Sequence, residues 1–104
     1  MKVLNLTDFL GCPAGVVFCK YEPCVVGELS VKGDNVGDID FLFTDVNGFW
    51  PEHDDISDDG TEGYTYESEW TRDGLFNKDQ LFLVYSESDV SKMVKVLTSL
   101  SAQE

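Results

Sequence analysis

Apolar and polar residues alternate along the middle of the chain with the period of two that is typical of β-strands. The alternating or β-branched segments are short, and turn-forming glycine, proline, asparagine and aspartate residues separate them. The predicted strands lie at 16–21, 25–32, 38–46, 63–70 and 80–86. The last segment is apolar on both faces, which predicts a central position in a sheet.

The alternation also assigns side chains to the two faces of the predicted sheet. In the second strand Val31 is expected to face the core, with Ser30 and Lys32 on the solvent side. In the third strand Phe41 is expected to face the core, with Asp40 on the solvent side. These strands are therefore predicted to have one buried and one wet face.

A short helix is predicted before the first strand. Apolar residues between Val3 and Leu10 have helical spacing, and the stretch "GCPAG" that follows ends the helix with two glycines and a proline. Asn5 or Thr7 is expected to cap it.

A longer amphipathic helix is predicted at the C-terminus, capped by Ser86 or Ser88. Its apolar stripe, which we expect to cover the sheet, follows the i, i+3, i+4, i+7 spacing and consists of Val90, Met93, Val94, Leu97 and Leu100. The predicted fold is therefore α+β, with about five antiparallel strands in a twisted sheet or small open barrel and a helix at each end. The whole chain, 1–104, is predicted to form a single domain.

Composition supports a folded protein, because 42% of its 104 residues are hydrophobic and 12% are aromatic. Disordered acidic chains lack such residues. Neither a signal peptide nor a run of about 20 apolar residues is recognisable, so we expect a cytoplasmic protein with no membrane contact. The three cysteines match neither a CxxC motif nor a disulfide scaffold, which predicts reduced thiols.

Charge is the most unusual property of the chain. Twenty acids against seven bases give a formal net charge of −13. Direct binding to nucleic acid or to an anionic membrane is therefore not expected, because both need clustered lysine and arginine. The same charge favours encounter with a basic protein surface.

The acids are concentrated in one segment, since residues 33–71 contain twelve acids and no lysine or arginine. Residues i and i+2 of a strand share a face, so Asp38 with Asp40, or Glu67 with Glu69, would form carboxylate rows. Such rows resemble the phosphates of duplex DNA, which repeat about every 3.4 Å along each strand. The candidate partner-binding residues are Glu52, Asp54, Asp55, Asp58, Asp59, Glu62, Glu67 and Glu69.

The acidic loop also raises the question of a metal. An EF-hand alignment on Gly60 places Asp55, Ser57 and Asp59 at ligand positions, but it puts Tyr66 where a bidentate glutamate is required. Helices are not predicted on either side of the loop, so specific calcium binding is disfavoured.

Zinc and catalysis are disfavoured as well. A Cys₃His site from His53 and the three cysteines lacks a recognisable ligand spacing. The sequence contains no GxSxG, phosphate loop or HExxH motif. Carboxylates in so hydrophilic a loop are poorly placed to have the raised pKa that acid–base catalysis needs. We therefore predict no enzyme activity, no catalytic residues and no cofactor.

Two stretches carry a resemblance to a known family: "CPAGVVFCKYEPCVVGELSVKGD" with "DIDF" after it, and "RDGLFNKDQLFLVYSESDV". They resemble small acidic proteins encoded by tailed phages and prophages, over about two thirds of the chain. The resemblance implies a phage setting, in which small acidic proteins inhibit host defence or nucleic-acid machinery, several of them by mimicking DNA. It assigns no role to any residue.

The sequence thus predicts a small acidic binding protein of phage type, a DNA-mimic inhibitor whose partner is a basic, nucleic-acid-binding host protein. Two alternatives stay open. One is a regulatory domain that binds a divalent ion or a small ligand at the loop from Asp54 to Glu62. The other is a generic acidic structural phage protein, for which oligomerisation through exposed aromatic residues is expected.

Overall fold

The computed structural model describes residues 1–47, 50–51, 64–65 and 68–102. Within them the helices are α1 (Leu6–Leu10) and α2 (Glu87–Ala102). The strands are β1 (Lys2–Leu4), β2 (Val17–Glu22), β3 (Val25–Val26), β4 (Ser30–Val36), β5 (Asp40–Asp45), β6 (Trp50–Pro51), β7 (Tyr64–Thr65), β8 (Thr71–Arg72) and β9 (Leu81–Val84).

The described strands form one large sheet and one small one. The large sheet has the order β1-β9-β2-β4-β5-β8, with β3 paired to β2, and each pairing is antiparallel. Strands β6 and β7 form a separate antiparallel pair. The α+β class and the open, antiparallel sheet are confirmed, and β9 is an interior strand between β1 and β2, next to the edge of the sheet and not at its centre. The prediction of about five strands was too low for the part of the chain described.

The core lies on one face of the large sheet, which we call the core face, and α1 covers it. The ring of Phe9 stacks on Phe82 at a centroid distance of 4.1 Å and meets Phe18 and Phe41 edge-on at 4.7 and 5.1 Å. All four rings are buried. They form an aromatic cluster that joins α1 to β2, β5 and β9, and such pairs stabilise beyond the area they bury.

The N-terminal helix is shorter than the apolar spacing predicts, because Val3 and Leu4 belong to β1. This strand pairs with β9, where Val3 lies opposite Leu83. This pairing gives hydrogen-bond partners to backbone groups along the edge of β9, which would lack them if residues 2–4 were helical. Asn5 is the cap as expected, since its side chain accepts a hydrogen bond from the Asp8 amide at 2.8 Å.

The face assignment of the second predicted strand was wrong. Its first half forms β3 and its second half β4, in which Ser30 and Lys32 are buried and Val31 points to the opposite face. The reason lies in the pairing register, which places Ser30 beside Phe18 and Lys32 beside Phe43. A strand that pairs in this register must turn its polar positions toward α1.

Lys32 is only 1% exposed, yet its ammonium has partners. It donates to Asn35 Oδ1 at 2.8 Å and to the Gly33 carbonyl at 3.2 Å, and it lies 5.8 Å from the centroid of the Phe9 ring. Asn35 in turn donates to the Leu10 carbonyl at the end of α1. Burial lowers the pKa of Lys32 below its ordinary value, because the charged form is desolvated.

Asp40 was expected on the solvent side and is instead 1% exposed. Its carboxylate accepts hydrogen bonds from the Gly74 amide, the Phe41 amide and Arg72 Nε, each within 2.9 Å. The Gly74 hydrogen bond, with those of Arg72 and Phe41, lowers the pKa of Asp40, although burial opposes the shift. Asp40 therefore fixes the segment that follows β8 onto the end of β5.

Helix α2 begins as predicted but does not cover the sheet. Ser86 Oγ accepts from the Asp89 amide and Asp89 Oδ2 accepts from the Ser86 amide, which is a reciprocal cap. Beyond the first turn the apolar stripe is exposed, with Val94 at 55% and Leu97 at 64%. The prediction of a helix packed on the sheet is therefore corrected.

We expect Asp40→Asn to lower the free energy of unfolding by about 2 kcal/mol at pH 7, because three donors lose a charged acceptor. The folded pKa is lowered, so this contribution is present above the ordinary aspartate pKa of 3.8 and is lost as the pH falls below it. Urea unfolding should therefore give the same difference at pH 7 and pH 5.

The matched control is Asp38→Asn, which removes a neighbouring exposed carboxylate. It should change the free energy of unfolding by no more than about 0.5 kcal/mol. Equal effects of the two substitutions would contradict the role given to Asp40.

Candidate functional site

Seven of the eight candidate partner-binding residues lie outside the described part of the chain: Glu52, Asp54, Asp55, Asp58, Asp59, Glu62 and Glu67. Their arrangement stays a prediction. Glu69 is described and is exposed on the segment that enters β8, where it is not part of a strand. The strand predicted over 63–70 is described as β only at Tyr64–Thr65.

The other acids of the segment 33–71 have unequal environments. Asp34 and Asp38 are exposed, whereas Asp40 is buried and Asp45 is half-buried and accepts a hydrogen bond from Ser30 Oγ at 2.7 Å. The expected row of Asp38 with Asp40 does not form, because Asp38 lies in the turn before β5 and Asp40 is buried and bound by Arg72 and the Gly74 amide. In the described residues the segment therefore presents separate exposed carboxylates.

Several positive groups of the described residues are paired with acids of the same chain. The ion pairs of the described residues join Lys20 to Asp73, Arg72 to Asp40 and the N-terminal amino group to Asp89. Lys32 is buried against α1. Asp34, Asp38 and Glu69 are exposed and take part in none of these ion pairs, although the charge of Asp34 acts on nearby Lys32 and opposes the lowering of its pKa.

Trp70 is 56% exposed. Its ring lies over Gly33, where an added Cβ would be 2.9 Å from Trp70 Cζ3 and 3.0 Å from Leu42 Cβ. Only glycine allows the indole to lie so close to β4. The isolated glycine within an alternating strand was the sequence signal for this contact.

Trp70, Gly33 and Leu42 line a depression of about 510 Å³ on the face of the sheet opposite the core. We call this depression the Trp70 groove. Its other lining residues include Val31, Ala14, Lys32 and Asp34, so apolar groups line it together with one base and one acid. An apolar groove with an aromatic wall fits an apolar side chain.

The cysteines do not form a site. Cys12 is half-buried, Cys19 is buried and Cys24 is exposed in the β2–β3 turn, and all three are free. Cys19 Sγ lies 3.6 Å from the Tyr85 hydroxyl, and this hydrogen bond raises the pKa of Tyr85 to about 12. Among the described residues, no group of three or more histidine, cysteine or carboxylate side chains could hold a metal ion. His53 lies outside the described residues.

Compared with known proteins, the chain matches no family model, no curated protein and no solved structure. Among the residues described, no helix is both long enough and apolar enough to cross a membrane.

We expect Gly33→Ala to displace the Trp70 ring, because the new methyl group would overlap the edge of the indole. In a Trp50→Phe background the fluorescence emission of Trp70 should shift to the red, and the free energy of unfolding should fall by about 1 kcal/mol. The single substitution Trp70→Phe shows which part of the fluorescence emission comes from Trp70. An unchanged emission maximum in the Gly33→Ala variant would show that the ring does not lie on Gly33.

Proposed function

We propose that the protein is a small acidic binding protein of phage type that inhibits a basic host protein by occupying its nucleic-acid-binding surface. The acidic segment from Glu52 to Glu69 makes the contact, and neither catalysis nor a cofactor is involved. The site of action is the cytoplasm of the host cell.

The observation that supports this proposal is the exposure of carboxylates that take part in none of the ion pairs of the described residues. Asp34, Asp38 and Glu69 all lie in residues 33–71, which contain no lysine or arginine. The bases that approach it, Lys32 and Arg72, are used by a buried contact and by Asp40. A folded protein gains little from surplus like charge, since self-repulsion opposes compactness, but a basic partner gains a complementary surface.

The binding energy would come from the same source as in protein–DNA complexes. A basic nucleic-acid-binding groove attracts anions, and a surface that replaces nucleic acid there is held by many weak ionic contacts. Such an interaction weakens steeply with salt, because screening acts on each exposed pair. Duplex DNA competes for the same groove and should displace the protein.

Two other hypotheses compete with this proposal. One is a divalent-ion or small-ligand site at the loop from Asp54 to Glu62, and the other is an acidic structural phage protein. Ion binding and mimicry predict different responses. Ion binding raises the melting temperature in millimolar calcium by mass action. Mimicry predicts displacement by DNA.

The test begins with capture of bound proteins from a bacterial lysate at low salt. With the purified partner, we expect the affinity to fall by at least about tenfold between 50 and 200 mM salt. Changing Asp54, Asp55, Asp58 and Asp59 together to asparagine should weaken binding by about tenfold or more, because four attractive contacts are lost.

The matched control neutralises four exposed acids outside the segment and therefore changes the net charge equally: Asp8, Glu22, Glu28 and Asp79. This variant should bind nearly as well as the natural chain. Equal loss in the two variants would mean that net charge alone acts. Full binding by the loop variant would refute mimicry through this segment. A complex from which duplex DNA does not displace the protein would refute it as well.

A further inference from the structure

The core face of the sheet carries a pocket of about 270 Å³, which we call the Ser30 pocket. Its lining comes from the neighbouring strands β2, β4 and β5 and from the segment that leads into β4. Ser30 pairs with Phe18 on one side and with Asp45 on the other, and paired residues share a face of the sheet. Pockets for drug-sized ligands occupy about 300–1,000 Å³, so this pocket is suited to a single side chain.

Aromatic rings line the Ser30 pocket. Phe18 is 2% exposed and belongs to the phenylalanine cluster of the core, and the half-buried Phe43 packs against that cluster. The core therefore fixes the position of both rings. A fixed aromatic surface attracts a cation, because the face of a phenyl ring carries partial negative charge.

A buried hydroxyl group positions a carboxylate beside these rings. Ser30 is 4% exposed, and its Oγ donates a hydrogen bond to Asp45 Oδ1 at 2.7 Å. Asp45 is half-buried, and among the described residues no group donates a hydrogen bond to its Oδ2. This oxygen can therefore accept hydrogen bonds from a bound group.

The base that lines the pocket does not cancel the charge of Asp45. Lys20 Nζ is paired with Asp73 Oδ1 at 2.5 Å, and the side chain of Asp73 is only 9% exposed. Because Lys20 and Asp73 neutralise each other, Asp45 leaves the pocket negative. Glu28 lines the pocket as well, but it is exposed, so solvent screens its charge and Asp45 is the main anion.

A guanidinium group matches both features of this pocket. It is planar and weakly hydrated, it stacks on aromatic rings, and it donates two parallel hydrogen bonds to a carboxylate. We propose that the Ser30 pocket binds an arginine side chain of the basic partner protein. The inference rests on the proposed function, which supplies that partner, and it adds a contact outside the segment from Glu52 to Glu69.

The first experiment needs no partner. The isotope-labelled full chain is titrated with the peptide acetyl-Gly-Arg-Gly-amide, and backbone amide shifts are followed by NMR. We expect saturable shifts at Gly27, Ser30 and Asp45, with half-saturation at roughly millimolar peptide, because a single side chain offers few contacts.

The matched control peptide carries citrulline, which is neutral and has nearly the shape of arginine. It should bind at least about tenfold more weakly, because the charged contact is lost. Equal binding of the two peptides overturns the proposal. Shifts that do not saturate, or that lie away from the pocket, overturn it as well.

Variants locate the contact. Asp45→Asn removes the charge and keeps an oxygen that accepts from Ser30, so it should weaken the arginine peptide about tenfold in a folded chain. Asp34→Asn removes an exposed carboxylate of the Trp70 groove and should leave the affinity unchanged. Equal loss in the two variants would show a response to net charge and overturn the proposal.

The aromatic contribution has its own test. Phe43→Leu keeps the pocket apolar and removes one ring. The natural chain should prefer the arginine peptide to its lysine counterpart, because an ammonium group does not stack, and Phe43→Leu should remove that preference. A preference that survives Phe43→Leu would contradict stacking on this ring.

The complex with the partner separates this inference from the proposed function. Asp45→Asn should weaken that complex about tenfold, although Asp45 lies outside the segment from Glu52 to Glu69. Full binding of the partner by Asp45→Asn would overturn the pocket contact and leave the proposed function standing. Loss of binding in Asp45→Asn, in a complex that duplex DNA does not displace, would support the pocket and refute mimicry.

Discussion

The packing of Phe9 against three phenylalanines of the sheet is the contact on which the rest of the structure depends. Helix α1 has five residues, far fewer than an isolated helix needs in water. It persists because Phe9 and Leu6 are buried and because Asn5 caps its first turn. The ring lies where β2, β5 and β9 meet, so one side chain joins strands that are distant in the sequence.

Buried polar groups contribute on both faces of the sheet, Lys32 on the core face and Asp40 on the opposite face, since the adjacent Phe41 points into the core. Lys32 links the Phe9 ring to Asn35, and Asn35 binds the last carbonyl of α1. Asp40 similarly ties the segment after β8 to β5. Desolvation of these charges is costly, and their hydrogen bonds offset the cost. A consequence is that Lys32 is withdrawn from the surface, while the exposed Glu69 takes part in none of the ion pairs of the described residues.

The face of the sheet opposite α1 carries the apolar side chains of Val17, Val31 and Leu42. Within the described residues, Trp70 is the main side chain that covers this face. The helix that the amphipathic pattern assigns to this task leaves the sheet after its first turn. The protein therefore combines exposed carboxylates in residues 33–71 with an apolar face of the sheet and an exposed apolar stripe on α2.

The sequence by itself determined the α+β class, the two helices and the interior position of β9, and it narrowed the caps to Asn5 or Thr7 and to Ser86 or Ser88, because alternation, capping and turn formation depend on residues close in the chain. It also located the surplus of acids. Only the tertiary structure decided which face of β4 is buried, that residues 2–4 pair with β9 and that Trp70 lies on Gly33. These depend on register and on contacts between residues far apart in sequence, and a shift of one residue in register reverses every side chain of a strand.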